Sequence, residues 1–449
     1  MRLGTTGLNP ESLLSRSAGS KKADLLITGI GQLVTMAGAS GAASGPKKGK
    51  DSRDLGLISN AAVACKDGAI LFAGSEDDVR SRVIPDCETE VIDAGGRAAI
   101  PGFVDAHTHL VFAGWRAEEY AMRCEGKSYL EIGAAGGGIA STVRATRDAS
   151  YEHLFQRALG FLDQMLLLGT TSCEAKSGYG LDRETELKQL QVIARLGEVH
   201  PTTVVGTYLG AHSIPPEYKD CRQEYVNLVT NTLPDVRRLG LAEFVDVFCD
   251  AGAFTVEETR KILAAAKEYG FGLKIHADEL QWTGATELGC ELGATSCDHL
   301  LKVSPQGIKC LAEGNTVAVL LPATSCYLGE PGAPARALID GGAAVALGTD
   351  FNPGTSTAMS MPLCMTLACS GLKMRPEEAL VAATWNSAYA TGLGGKVGGL
   401  IPGFQADLII LDAQDYREIP YRFGTNLVDT VIKGGRIVVR NGTIRRKVN

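Results

Sequence analysis

"PGFVDAHTHL", residues 101–110, holds two of the seven histidines of this 449-residue chain, one residue apart. A Pro-Gly pair opens the stretch and apolar residues surround the histidines. Side chains alternate along an extended strand, so Asp105, His107 and His109 share one face. Residues two apart on a strand stand about 7 Å from each other. A slight bend at the strand end lets two such imidazoles grip one metal ion. The blander reading is a chance pair of strand histidines satisfied by polar neighbours.

The other histidines weigh against the bland reading. His212 ends "YLGAH", His276 ends "LKIH" and His299 ends "SCDH", each at the close of an apolar run. Asp350 closes "VALGTD" in the same way. Burying so many imidazoles and carboxylates is costly unless they are paired or hold a metal. His153 and His200 fall in helical stretches and read as surface or packing residues.

Working outward, eight strand-like runs alternate with helical ones: "AAIPGFVDAH", "GTTSCEAKS", "TTVVGTYLGAH", "AEFVDVFCDAG", "GLKIHADE", "GATSCDHL", "TVAVLLPAT" and "AAVALGTD". "YEHLFQRALGFLDQMLLLG", "ETELKQLQVIARLG" and "TVEETRKILAAAKEYG" are among the helices between them. That order predicts an α/β protein built on a (β/α)8 TIM barrel, with its chemistry at the C-terminal mouth of the strands. An open doubly wound sheet is the weaker alternative, because no GxGxxG follows a strand. The expected barrel spans 99–397. Residues 24–98 and 398–449 are rich in short strands, and neither set makes a full sheet alone. Together they predict a small β-sandwich built from both termini. Residues 1–23 read as a flexible segment, and "AGASGAASGPKKGKDSRDLG" at 37–56 as a mobile loop.

Composition narrows the function. A net charge of −7 and the lack of a basic stripe argue against nucleic acid. No run of about 18 apolar residues predicts a membrane span. The opening residues do not read as a secretory signal. Twelve scattered cysteines without a CxxC pair predict reduced thiols and a cytoplasmic protein acting on a small molecule. "GGG" at 136–138 lacks a following GK[ST], so an active-site lid is preferred to a phosphate loop.

"PGFVDAHTHL", "HADE", "DHL" and "GTDFNPGT" resemble the metal-dependent amidohydrolase superfamily. Within it, "HTHLVFAGWRAEEYAMR", "GGGIASTVRATR", "EAKSGYGL", "GAHSIP" and "ADLIILD" are similar to the imidazolonepropionase family. The resemblance runs from about residue 24 to the end. The long N-terminus and the Lys-rich insertion depart from it. It implies that His107, His109, His276 and Asp350 hold one metal ion per chain, Zn²⁺ or Fe, with a position left for water. The superfamily's other arrangement is a two-metal site bridged by a carbamylated lysine. The fourth run, "FVDVFCDAG", has no lysine, and Lys176 and Lys274 stand elsewhere, so one metal is expected.

The implied reaction is hydrolysis of a cyclic C–N bond in 4-imidazolone-5-propanoate, giving N-formimidoyl-L-glutamate in histidine degradation. Asp350 would take the water's proton, and Glu279 would hydrogen-bond the ring nitrogen and pass it a proton. His299 would orient the water or stabilise the oxyanion, or serve as a fifth ligand. Arg116 would pair with the propionate through two hydrogen bonds. Tyr129, Tyr179 and His212 would complete the pocket, with Asn352, Gly354 and Thr355 on its other side. A homodimer is implied by the family. Plainer roles stand beside these: a loop carboxylate for Glu279, a packing ring for Tyr129, a turn glycine for Gly354, and an ion pair with Glu118 or Glu119 for Arg116. Two other functions are open. One is a sibling amidohydrolase that deaminates a nucleobase-like ring. The other is a non-catalytic scaffold barrel, which would typically have lost metal ligands.

Overall fold

The computed structural model describes residues 21–38, 45–127, 131 and 136–445. Its centre is a parallel sheet of eight strands: β1 Phe103–Asp105, β2 Thr170–Lys176, β3 Thr203–Ala211, β4 Phe244–Cys249, β5 Gly272–Ala277, β6 Ser296–His299, β7 Val317–Leu320 and β8 Val345–Leu347. Each pairs with its sequence neighbour. β1 and β8 meet through a short parallel bridge between Thr108 and Phe351, with His109 N–H donating to the Phe351 carbonyl at 2.9 Å and Asp350 N–H to the His107 carbonyl at 2.9 Å. The barrel therefore closes at the level of the histidines. Asp105 reinforces the seam, accepting from the Thr349 backbone N–H at 2.9 Å and the Thr349 hydroxyl at 2.6 Å.

Helices follow the strands where the sequence supplies caps. Ser150 accepts from His153 N–H at the start of Tyr151–Leu167, and Asp182 from Thr185 N–H at the start of Arg183–Val199. Thr255 and Glu258 form a reciprocal capping box on Val256–Glu268. All three helices match the expected runs. His153 lies on the first of them, as expected, while His200 stands just past the end of the second, as its C-cap in extended conformation.

Both ends of the chain combine in a nine-stranded sheet in which Leu25–Val34, Leu57–Lys66 and Ala69–Ser75 join Leu408–Leu411, Val428–Lys433 and Arg436–Arg440. Its own core includes Ile27, Ile30, Leu33, Val63, Ile70, Leu408, Ile410 and Ile432. One boundary differs from expectation. "AAIPGFVDAH" is two strands: Ala98–Pro101 pairs antiparallel with Leu408–Leu411, and only Phe103–Asp105 belongs to the barrel. Gly102 makes the join because a Cβ there would lie 2.3 Å from the Thr171 hydroxyl.

The insertion differs too. Residues 45–56 pack against the helix Trp385–Ala390. Trp385 Nε1 donates to the Gly45 carbonyl at 3.0 Å, and the Asn386 amide brackets Lys47, accepting from its N–H at 2.8 Å and donating to its carbonyl at 2.9 Å. The Lys47 side chain is buried and donates to the Asp54 carbonyl. A low-complexity composition hid these contacts, because the partners lie more than 300 residues away. Lys21–Lys22 pairs with Val83–Ile84, so the last residues of the expected flexible segment are ordered. Residues 1–20 and 39–44 lie outside the described residues.

Candidate active site

His107, His109 and His276 converge at the mouth of the barrel. Each is buried, and one ring nitrogen of each lies within 4.8 Å of the others. His107 Nε2 and His109 Nε2 are 3.2 Å apart. Asp350 Oδ1 lies 3.6 Å from the first and 3.5 Å from the second. His276 Nε2 has no hydrogen-bond partner, though it is buried. Burial holds the His107 and His109 rings well below the usual imidazole range, with neighbouring cations adding to it, so they are neutral donors of a lone pair. Facing lone pairs and an unpartnered nitrogen are unfavourable alone and favourable around a cation. The donor set therefore fits a first-row transition ion.

The backbone turns sharply here. Asp278, His299, Leu300 and Asp350 all have positive φ, between 50° and 77°. Such conformations cost about 1–3 kcal/mol each and persist where surrounding structure enforces them. Enforcement is visible at Asp350 and Asp278. Thr324 Oγ1 donates to Asp350 Oδ2 at 2.6 Å, which leaves Oδ1 for the histidines. Asp278 accepts from the Thr283 N–H at 2.8 Å and from the Thr286 hydroxyl at 2.6 Å.

Glu279 follows β5 and stands at the mouth, 3.5 Å from the nearer ring nitrogen of His299. It is not a free loop carboxylate. Asp250, at the end of β4, accepts from the backbone N–H groups of Glu279, Leu280 and Gln281 at 2.7, 2.8 and 3.1 Å. Burial, and after it the charges of Asp350 and Asp250, push the Glu279 carboxyl up to about 8. A carboxyl that keeps its proton at neutral pH can donate it. His299 packs against His107 and His276, ring centroids 5.4 and 5.2 Å away.

The residues expected to meet substrate fall into two groups. His212 stacks on His109 at 5.0 Å, and its Nδ1 donates to the Gly178 carbonyl at 3.0 Å. Burial takes that ring down to about 3. Tyr179 lies 5.8 Å from His109 and 5.4 Å from His212. Its loop is pinned by Glu186, whose carboxylate accepts from the N–H groups of Gly178, Gly180 and Leu181. Across the mouth, Arg116 Nε is buried without a hydrogen bond, and the Glu119 carboxylate is 3.6 Å away. Gly354 is more than a turn residue: a Cβ there would fall 1.2 Å from Arg116 Nη2. Asn352 is occupied within its own loop, accepting from Gly354 and Thr355 N–H at 2.8 Å each and donating to the Asp350 carbonyl at 2.6 Å. It shapes this wall and also holds the Thr355 hydroxyl, its Nδ2 donating to Thr355 Oγ1 at 2.9 Å. Tyr129 lies outside the described residues. Gly136–Gly138 lead into the helix Ile139–Asp148, where Gly138 N–H donates to Glu119 Oε1 at 3.0 Å.

Sequence reading missed the charged layer beneath the histidines. Asp298 Oδ2 sits 2.6 Å from His107 Nδ1, and Asp246 Oδ2 sits 2.9 Å from His276 Nδ1, off the line of an ideal hydrogen bond. Lys176 Nζ lies between these carboxylates and Glu174. Burial alone would lower the Lys176 ammonium, and the three carboxylates more than reverse it. Asp298 had a visible signal, since it adjoins His299. Asp246 lies within an apolar run that gave none.

This barrel, with imidazoles and a carboxylate converging at its mouth, has the architecture and donor set of a metal-dependent hydrolase. The amidohydrolase family model matches residues 98–438, and the chain belongs to that family. Within it the chain belongs to the imidazolonepropionase family. The enzyme of that name from Symbiobacterium thermophilum is 51% identical over 94% of this chain and 99% of its own length. Its counterpart from Geobacillus kaustophilus is 49% identical over 92% and 97%. Solved structures show the fold: a zinc-bound adenosine deaminase from Xanthomonas campestris superposes with a TM-score of 0.71 at 18% identity, covering 95% of each chain. Guanine deaminase from E. coli gives 0.70 at 15% identity, covering 92% of this chain and 98% of its own.

Proposed function

We propose that this protein hydrolyses 4-imidazolone-5-propanoate to N-formimidoyl-L-glutamate. The observation that carries the reading is the buried cluster of His107, His109 and His276, in a chain nearly half identical to imidazolonepropionases along almost its whole length. His107, His109, His276 and Asp350 would hold one Zn²⁺ or Fe ion. When bound, it would lower the pKa of water and polarise the substrate carbonyl. Lys176 is engaged by three carboxylates and Lys274 Nζ lies 3.4 Å from Glu174, which supports one metal over a lysine-bridged pair.

The chain's own groups supply the rest. Asp350 Oδ1, beside the two imidazoles, accepts the proton of the attacking water. Glu279 hydrogen-bonds the ring nitrogen and protonates it as the cyclic C–N bond breaks. His299, buried against His107 and His276, stabilises the developing oxyanion. Arg116 takes the propionate, and Tyr179, His212, Thr355 and, with them, Tyr129 enclose the ring. Catalysis belongs to the barrel, expected at 99–397 and opening at Phe103. Segments 24–98 and 398–449 form its composite β partner, and the working unit is a cytoplasmic homodimer. No helix among the described residues is long and apolar enough to cross a membrane.

The test is to mix the protein with freshly made imidazolone propanoate and follow the loss of its ultraviolet absorbance. Disappearance of the band with formation of N-formimidoyl glutamate is expected. Inertness toward this compound, with ammonia released from a nucleobase, would favour the deaminase reading.

A further inference from the structure

We infer that Lys176 is a positioning residue for the metal site: one buried ammonium ties together the two carboxylates that orient His276 and His107. The inference rests on the proposed metal-binding role of those histidines.

Lys176 ends β2 and is fully buried. Its Nζ lies 2.7 Å from Asp246 Oδ2, 3.7 Å from Asp298 Oδ2 and 2.8 Å from Glu174 Oε1. The same two Oδ2 atoms face the imidazoles, Asp246 toward His276 Nδ1 and Asp298 toward His107 Nδ1. The other oxygen of each carboxylate, Oδ1, has no hydrogen-bond partner. Each carboxylate is therefore held at one atom, shared between the ammonium and a ring. Moving the ammonium moves the atom that fixes the ring. Glu174 anchors the lysine from below and accepts from the Thr207 hydroxyl at 2.5 Å. A buried ion cluster is a poor way to gain stability, since apolar side chains of like volume often serve as well. A cluster aimed at two ligand side chains has a different use. Carboxylates behind metal-bound imidazoles fix their tautomer and orientation, and losing such support typically weakens metal binding about 10–100-fold.

The test compares wild type, Lys176→Met, Asp298→Asn and His109→Ala. Each is stripped of metal and titrated with cobalt(II), whose visible absorption reports ligand geometry. Lys176→Met is expected to bind cobalt about 10–100-fold more weakly than wild type and, once saturated, to show an altered spectrum. A lysine serving the core alone would lower the unfolding midpoint of the metal-free protein and leave the spectrum unchanged. Affinity within about threefold of wild type together with an identical spectrum overturns the inference. If Lys176→Met does not fold, Asp298→Asn is read by the same two criteria. Failure of wild type to take up cobalt, or equal uptake by His109→Ala, overturns the metal assignment itself, and this inference with it.

Discussion

Glu279 shows how little of a residue's role lies in the residue alone. Its spacing from His276 puts it at the strand end, but the Asp250 carboxylate, gripping three successive backbone amides, decides where it points. Its carboxyl is raised to about 8 by burial and by neighbouring charge, so the protonated, donating form prevails at neutral pH and is lost as pH rises through that value. Turnover should fall along an alkaline limb near there, and a pH profile of kcat would show it. Glu279→Gln should keep the metal, lose about 10²–10⁴-fold in kcat and lose that limb. Arg116 sits with its Nε without a hydrogen bond, 3.6 Å from Glu119, and with Gly354 pressed against its tip. If it grips a desolvated carboxylate, its removal should cost about 2–5 kcal/mol. Arg116→Met should then lower kcat/KM by roughly 30-fold or more on the natural substrate. The loss should be smaller on an imidazolone without the side-chain carboxylate, and equal losses would make Arg116 a loop-shaping residue. Gly354→Ala, which displaces the guanidinium, should cost about 10²-fold in kcat/KM and leave metal content intact. The histidines were legible because they are few and each closes an apolar run. Asp246 and Lys176 were not, because a charge inside a strand reads as noise until its partner across the barrel is known.

At the scale of elements, capped helices and apolar strands were easy to read, and the joins between them were not. The stretch that opens the barrel also closes the terminal sheet, and the break at Gly102 depends on Thr171, about 70 residues on. No local pattern announces such a close approach. The insertion at 45–56 makes the same point from the other side: a polar, aperiodic composition conceals a segment bracketed by Asn386. Asn386→Ala would leave the Lys47 N–H and two buried carbonyls, of Lys47 and Val345, without this amide. A buried polar group left unpaired costs about 1–3 kcal/mol. Urea unfolding of that variant should show a loss of at least that size, with little change in turnover at low temperature.

The whole molecule joins a barrel whose mouth gathers the histidine cluster to a sheet made from both ends of the chain, which pairs with the segment leading into β1. Beneath the mouth, the three carboxylates of Glu174, Asp246 and Asp298 sit against two ammonium groups, Lys176 and Lys274, and against the rings of His107 and His276, an arrangement that a bound cation above would help to balance. Stripping the metal should therefore lower the thermal midpoint and restoring it should recover the loss. A ligand held at about a thousand times its Kd stabilises the native state by about 4 kcal/mol. The proposed function requires that the histidine cluster hold a metal on which opening of the imidazolone ring depends. The most direct measurement is to titrate metal-free protein with zinc or ferrous iron while following the rate of imidazolone propanoate loss. No turnover is expected at the start, followed by a rate that climbs linearly and breaks at one equivalent per chain. Full turnover in the metal-free protein, or a rate indifferent to added metal, would contradict that requirement.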